Sequence, residues 1–112
     1  MGPYERLFEA IKRHSGMDAG RIKDAGNHGA DTGWPGFTYN KDAEDFYTEN
    51  EDDIYELLRE MAENTGSKNI EDLVSGFKRD DMLETPRGRR VLLAWFALEE
   101  IGRWIGEETE TV

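Results

Sequence analysis

Cysteine is absent from the 112 residues. Disulfides, thiolate metal sites and cysteine nucleophiles are therefore excluded, and the redox compartment is left open. Long apolar runs are missing too. No stretch approaches the roughly 20 residues needed to cross a bilayer, and residues 1–6, Met-Gly-Pro-Tyr-Glu-Arg, lack the apolar run that follows the charges of a secretory leader. A soluble, cytoplasmic protein is the expectation. Catalytic and metal signatures are the third lack: there is no HExxH, no calcium-loop pattern and no phosphate-binding glycine loop closing on Lys-Ser/Thr. No cofactor or metal is expected.

Positive charge is also scarce. Lys and Arg number 14 against 25 Asp and Glu, a net charge of -11. The imbalance is local, since residues 42–72 hold 12 acidic and 2 basic side chains, a net of -10. Like-charge repulsion disfavours direct binding to nucleic acid or to an anionic membrane, and favours positively charged partners. A chain of this length makes one domain that buries roughly 65 % of the surface its unfolded form exposes, so it needs no staple. Residues 1–106 are expected to form that domain, and the acidic residues 107–112 a disordered tail.

The densest apolar run is Val91 to Ile105, with two of the three tryptophans, and it reads as a long helix around which the rest packs. Thr85 can cap it and Pro86 suits its first position, where no N–H is needed. At 100° per residue, Val91, Ala94, Trp95, Leu98, Ile101 and Ile105 share a broad face, which Leu93, Ala97 and Trp104 widen. Leu92 and Phe96 fall opposite, and would form a contact surface if left exposed.

Tyr4, Leu7, Phe8 and Ile11 have the spacing of an amphipathic helix started by Pro3 and ended by Gly16. Asp42 can open a short helix carrying Ala43, Phe46 and Tyr47. Asn50 can cap a longer one to Asn64, stopped at Gly66, with Ile54, Leu57, Leu58 and Met61 inward. Asn69 and Asp72 predict a capping arrangement for a further short helix with Ile70, Leu73, Val74 and Phe77 inward. Between the first and second of these helices, residues 16–36 contain six glycines among Asp, Asn and Thr. Such composition disfavours regular structure and predicts a long loop, with at most a short helical turn at residues 21–23. Phe37-Thr38-Tyr39 has the alternation of a minimal extended piece, and Trp34, Phe37 and Tyr39 are candidates to pin the loop down. The fold class is all-α: about five helices, a glycine-rich loop and at most a minimal β pair.

The first candidate site is the acidic helix. Glu49, Asp52, Asp53, Glu56, Glu60 and Glu63 lie within an arc of about 100° over about 21 Å, or five carboxylates over about 16 Å if Asn50 caps the helix. Like charges four apart cost a few tenths of a kcal/mol per pair, and only Arg59 and Lys68 are close in sequence. A negative strip of this kind can mimic a line of phosphates or dock on the basic groove of a protein that handles nucleic acid. The plain alternative is a solvated helix face. The second candidate is the loop, where His28 and Asp31 could act as base and orienter or ligate a metal, with Trp34 and Tyr39 beside them. A loop closed by a structural hydrogen bond of His28 is the simpler reading. Lys78, Arg79, Arg87, Arg89 and Arg90 read as internal counter-charge, and Glu99 with Arg103 as an i, i+4 ion pair.

The order His28-Gly29-Ala30-Asp31-Thr32-Gly33-Trp34-Pro35-Gly36-Phe37-Thr38-Tyr39, then an acidic helix, then Ala94-Trp95-Phe96-Ala97-Leu98-Glu99 resembles a family of small, functionally unassigned proteins carried by phages and prophages. The resemblance implies an inhibitor of host defence of the anti-CRISPR kind, acting in the host cytoplasm, with no catalytic motif. The expected function is therefore a non-enzymatic inhibitor that binds a basic, nucleic-acid-handling protein surface, as a monomer or weak dimer. A small enzyme centred on the glycine-rich loop and a homo-oligomeric structural module are the alternatives.

Overall fold

The computed structural model describes residues 2–32, 37, 40–75 and 84–110, with the side chains of 27–32, 75 and 108–110 left aside. Six helices occupy these residues: α1 (Pro3–Ser15), α2 (Ala19–Thr32), α3 (Asn40–Glu49), α4 (Glu51–Thr65), α5 (Ile70–Ser75) and α6 (Pro86–Glu110). The all-α, single-domain architecture expected from the sequence is present, and no strand occurs among the described residues. Thr38 and Tyr39, which belonged to the anticipated extended piece, lie outside them.

The helix boundaries follow local chemistry. Pro3 stands at the start of α1, and Gly16, at φ 74°, closes it by donating its N–H to the Lys12 carbonyl at 2.8 Å. Gly66, at φ 79°, ends α4 in the same left-handed conformation. The Thr85 hydroxyl accepts the Gly88 N–H at 3.0 Å, capping α6. At α5 the Asn69 side chain accepts the Asp72 N–H at 2.8 Å, while the Asp72 carboxylate accepts the Lys68 N–H at 3.0 Å. Asn50 behaves differently from the expectation. Its side chain makes no cap hydrogen bond to α4 but donates to the Phe46 carbonyl at 3.0 Å, so this single residue ties off α3 as α4 begins.

The largest departure is α2. The glycine-rich stretch expected to be irregular holds a helix of 14 residues. Asp18 caps it, accepting the Arg21 N–H at 2.9 Å. Ile22 and Ala25 are buried, and Gly26 lies against Gly102 of α6. A Cβ built on either glycine would stand 2.6 Å from the other's Cα, so the two backbones meet where no side chain could fit. Glycine weakens a helix by roughly 0.5–1 kcal/mol relative to alanine, but here its missing side chain gives α2 its seat on α6.

Helix α6 is the axis of the fold. Its 25 residues span about 37 Å at 1.5 Å per residue, close to the 38 Å longest dimension of the molecule. Helices α2 and α3 pack most extensively on it, α4 and α1 also touch it, α1 lies on α4, and α5 leans on α4. The expected broad face is buried, with Trp95 and Trp104 half-covered at its margins. Leu92 and Phe96 are buried as well, at 3 % and 7 % exposure, so they form no second contact surface. A helix apolar nearly all round is covered nearly all round. Residues 107–110, expected to begin an irregular tail, continue the helix, and Arg103 pairs with Glu107 one turn on.

Candidate acidic face and cleft

Helix α1 runs beside α4, and this contact divides the acidic strip. Asp53 and Glu56 receive Arg6, whose Nε and Nη2 donate to them at 2.8 and 2.7 Å. One guanidinium thus bridges two carboxylates three residues apart, supplied from 47 and 50 positions away in the chain. The relief that sequence neighbours could not offer comes from tertiary packing. Glu49 is the last residue of α3 and stands off the α4 row. It lines a shallow cleft with Ala10, Arg13, His14 and Asn50, against the last turn of α1. It is therefore removed from the strip, because the chain breaks its helix at Asn50 between Glu49 and Glu51. Asp52, Glu60 and Glu63 are exposed and form no ion pair with any other described residue.

The secondary candidate does not assemble in the described residues. His28 and Asp31 lie on the backbone of α2 with their side chains undescribed, and Trp34 and Tyr39 lie outside the described residues. The helical backbone replaces the expected loop, so the premise of a loop-centred site is corrected. Phe37, expected to help pin that stretch, is buried and meets Phe46 at 5.2 Å and Trp95 at 6.4 Å between ring centroids. His14, which no sequence pattern singled out, stacks on Phe37 at 4.5 Å.

The basic start of α6 acts as counter-charge, as its position in an acidic chain predicts. Arg87 donates to Glu44 at 2.6 Å, Arg90 lies 3.6 Å from the same carboxylate, and Arg89 pairs with Glu71 and reaches the Tyr55 hydroxyl at 3.4 Å. Lys78 and Arg79 lie outside the described residues. On α6 the anticipated Glu99–Arg103 pair is replaced: Arg103 binds Glu100 and Glu107 instead, its Nε donating to Glu100 at 2.6 Å. Glu100 is 3 % exposed. Burial raises its carboxyl pKa, and Arg103 opposes that shift.

Where α1 begins, beside the last turns of α4, a cleft of about 400 Å3 opens. Tyr4 and Trp104 form its aromatic corner at 5.6 Å between ring centroids, and Phe8 backs Trp104 at 6.1 Å. Glu5, Glu60, Asn64, Arg103 and Glu107 complete the wall. Burial first, and then the fields of Glu100 and Glu60, push the Tyr4 hydroxyl up to about 12. The sequence pattern assigned Tyr4 and Trp104 to the core because they occupy helical core positions. What it could not show is that two helix ends leave those rings half-uncovered.

Among the described residues, no group of three or more His, Cys, Asp or Glu side chains could hold a metal ion, and no helix is long and apolar enough to cross a membrane. Fold and surface together define a small helical domain with a carboxylate-rich flank. The chain belongs to the family described as a domain of unknown function, DUF7222, whose family model matches residues 8–111. No curated protein and no solved structure matches the chain.

Proposed function

We propose that the protein is a non-catalytic binding domain that docks on a basic protein surface through the outer side of α4. The observation that carries this reading is the division of the carboxylates. Arg6 occupies Asp53 and Glu56, whereas Asp52, Glu60 and Glu63 have no ion-pair partner among the described residues. Glu60 and Glu63, three residues apart on one side of α4, repel each other, and a cationic partner would relieve that repulsion. The resemblance to phage-carried proteins directs the first search to nucleic-acid-handling defence complexes of bacteria, whose grooves are basic. Inhibition would then follow from occupying the groove that the nucleic acid needs.

The test is capture of partners from a bacterial lysate at low salt by the wild-type protein and by an Asp52→Lys/Glu63→Lys variant. Glu60 is left in place because it also walls the cleft. Circular dichroism should show the two proteins equally folded. The wild type should retain basic proteins that rising salt or added nucleic acid releases, and the variant should lose them. Equal retention by both proteins would sink the reading.

A further inference from the structure

We propose that the cleft between the start of α1, the end of α4 and the last turns of α6 is an anchor pocket for one lysine or arginine side chain of the protein partner. The inference rests on the binding role proposed for α4 and names the chemistry that would fix the partner's register.

Three features of the cleft agree on a cation carried by an apolar stem. The first is the aromatic corner. Tyr4 and Trp104 are half-buried, tilted at 49° and 5.6 Å apart, and both line the cavity. A ring face attracts a cation within about 6 Å of its centroid, and a lysine or arginine stem covers apolar ring surface on the way in. The second is charge. Glu5, Glu60 and Glu107 line the cavity with Arg103 as the single cation among its described residues, and Glu100 is buried behind. Arg103 is not available to neutralise the others, because its guanidinium is engaged by Glu100 and Glu107. The free N–H groups at the start of α1 add about half a positive charge, which still leaves the described lining negative. The Tyr4 hydroxyl pKa is raised mainly by burial, and the nearby Glu100 and Glu60 carboxylates add to that shift while Arg103 opposes it. The third is position, since Glu60 belongs both to the exposed side of α4 and to the cleft wall. A partner docked along α4 would therefore pass the mouth of the pocket.

The alternative cavity of about 510 Å3, between α4, α5 and the start of α6, mixes Arg59, Lys68 and Arg89 with Glu63 and Glu71 and has no comparable preference for one sign.

Nuclear magnetic resonance on the whole protein tests the proposal with N-acetyl-arginine amide and N-acetyl-lysine amide as probes and N-acetyl-norleucine amide as the neutral control. The Trp104 indole N–H signal, assigned by its loss in Trp104→Phe, should shift saturably with both cationic probes and stay in place with the control. Glu107→Gln removes one exposed carboxylate from the wall and should weaken the probes, and Trp104→Leu should weaken them on the order of two- to fivefold, the size of an exposed cation–π contact. If Trp104→Leu loses its fold, Glu107→Gln decides alone. No saturable shift at Trp104, or an equal shift with the norleucine control, overturns the proposal. With a captured partner in hand, Glu107→Gln should reduce its affinity. Loss of that partner in Asp52→Lys/Glu63→Lys with full retention in Glu107→Gln would overturn the anchor and leave the binding role of α4 standing. Retention in both would overturn the binding role itself.

Discussion

Two helix contacts in this molecule are built by opposite means. Where α2 crosses α6, Gly26 and Gly102 bring backbone against backbone, with Ile22 and Ala25 buried beside them. Where α1 lies along α4, Leu7 and Ile11 are buried beneath, but the rim is ionic, with Arg6 spanning Asp53 and Glu56. The first contact is intolerant of shape change and indifferent to salt. The second is tolerant of shape and sensitive to salt and to any competing cation. The α2 side of the molecule is therefore held by shape, and the α1–α4 side by burial together with an ionic rim.

Substitutions in the core of α6 should have the largest effect. Leu98 is fully buried on the axis, so Leu98→Ala should lower the unfolding free energy in urea by roughly 2–5 kcal/mol. Next comes the backbone crossing. Gly102→Ala places a methyl 2.6 Å from the Gly26 Cα, and overpacking of this kind costs about 1–3 kcal/mol. Gly20→Ala on α2 makes the informative contrast, because its new Cβ would meet nothing closer than the Asp18 carboxylate at 3.6 Å. That variant should be neutral or gain a few tenths of a kcal/mol, since Gly20 lies in the first turn of α2. If both glycine variants move stability in the same direction, the crossing is not what holds α2.

These glycines also show where the sequence could be read and where it could not. Apolar spacing located α1, α4, α5 and α6 to within a few residues, because each has its own apolar stripe, even where the expected cap, Asn50 of α4, makes no cap hydrogen bond. Helix α2 has a weak stripe of Ile22 and Ala25, and its glycines carry the composition of a loop. Its seat on α6 depends on Gly102, 76 positions further on, and no local pattern reports such a contact. The same limit applied to the acidic face. Six carboxylates on one wheel were legible, as was the loss of Glu49 if a helix begins at Asn50, but the neutralisation of two others by Arg6 depends on the packing of α1. Tyr4 and Trp104 were legible as apolar positions and not as the wall of a cleft.

A smaller effect concerns Glu100, the buried acid at the edge of the α1 side. Burial raises its pKa above the ordinary 4.5, so the protonated form is favoured in the folded state. The folded protein then binds more protons than the unfolded one between the two pKa values. Its contribution to stability is complete below about 4.5 and is lost as pH rises through the raised value. Urea unfolding across that window should show this decline, and Glu100→Gln, which cannot titrate, should flatten it. An unchanged slope in the variant would assign the pH dependence to other groups.

The smallest expected loss of stability, from Arg6→Gln, sharpens the comparison most. The Arg6 pairs are half-exposed, and ion pairs open to water add only about 0–1 kcal/mol to folding and are screened by salt, so the loss should be about 1 kcal/mol or less and largest at low ionic strength. Binding should move the other way. Without the guanidinium, Asp53 and Glu56 join Asp52, Glu60 and Glu63 as carboxylates open to a cationic partner, and retention of basic proteins at low salt should increase. A purely solvated helix face would show the small stability change alone. Weaker retention would mean that Arg6 holds the α1–α4 surface in the shape the partner requires, and the ionic rim would then be part of the binding surface itself.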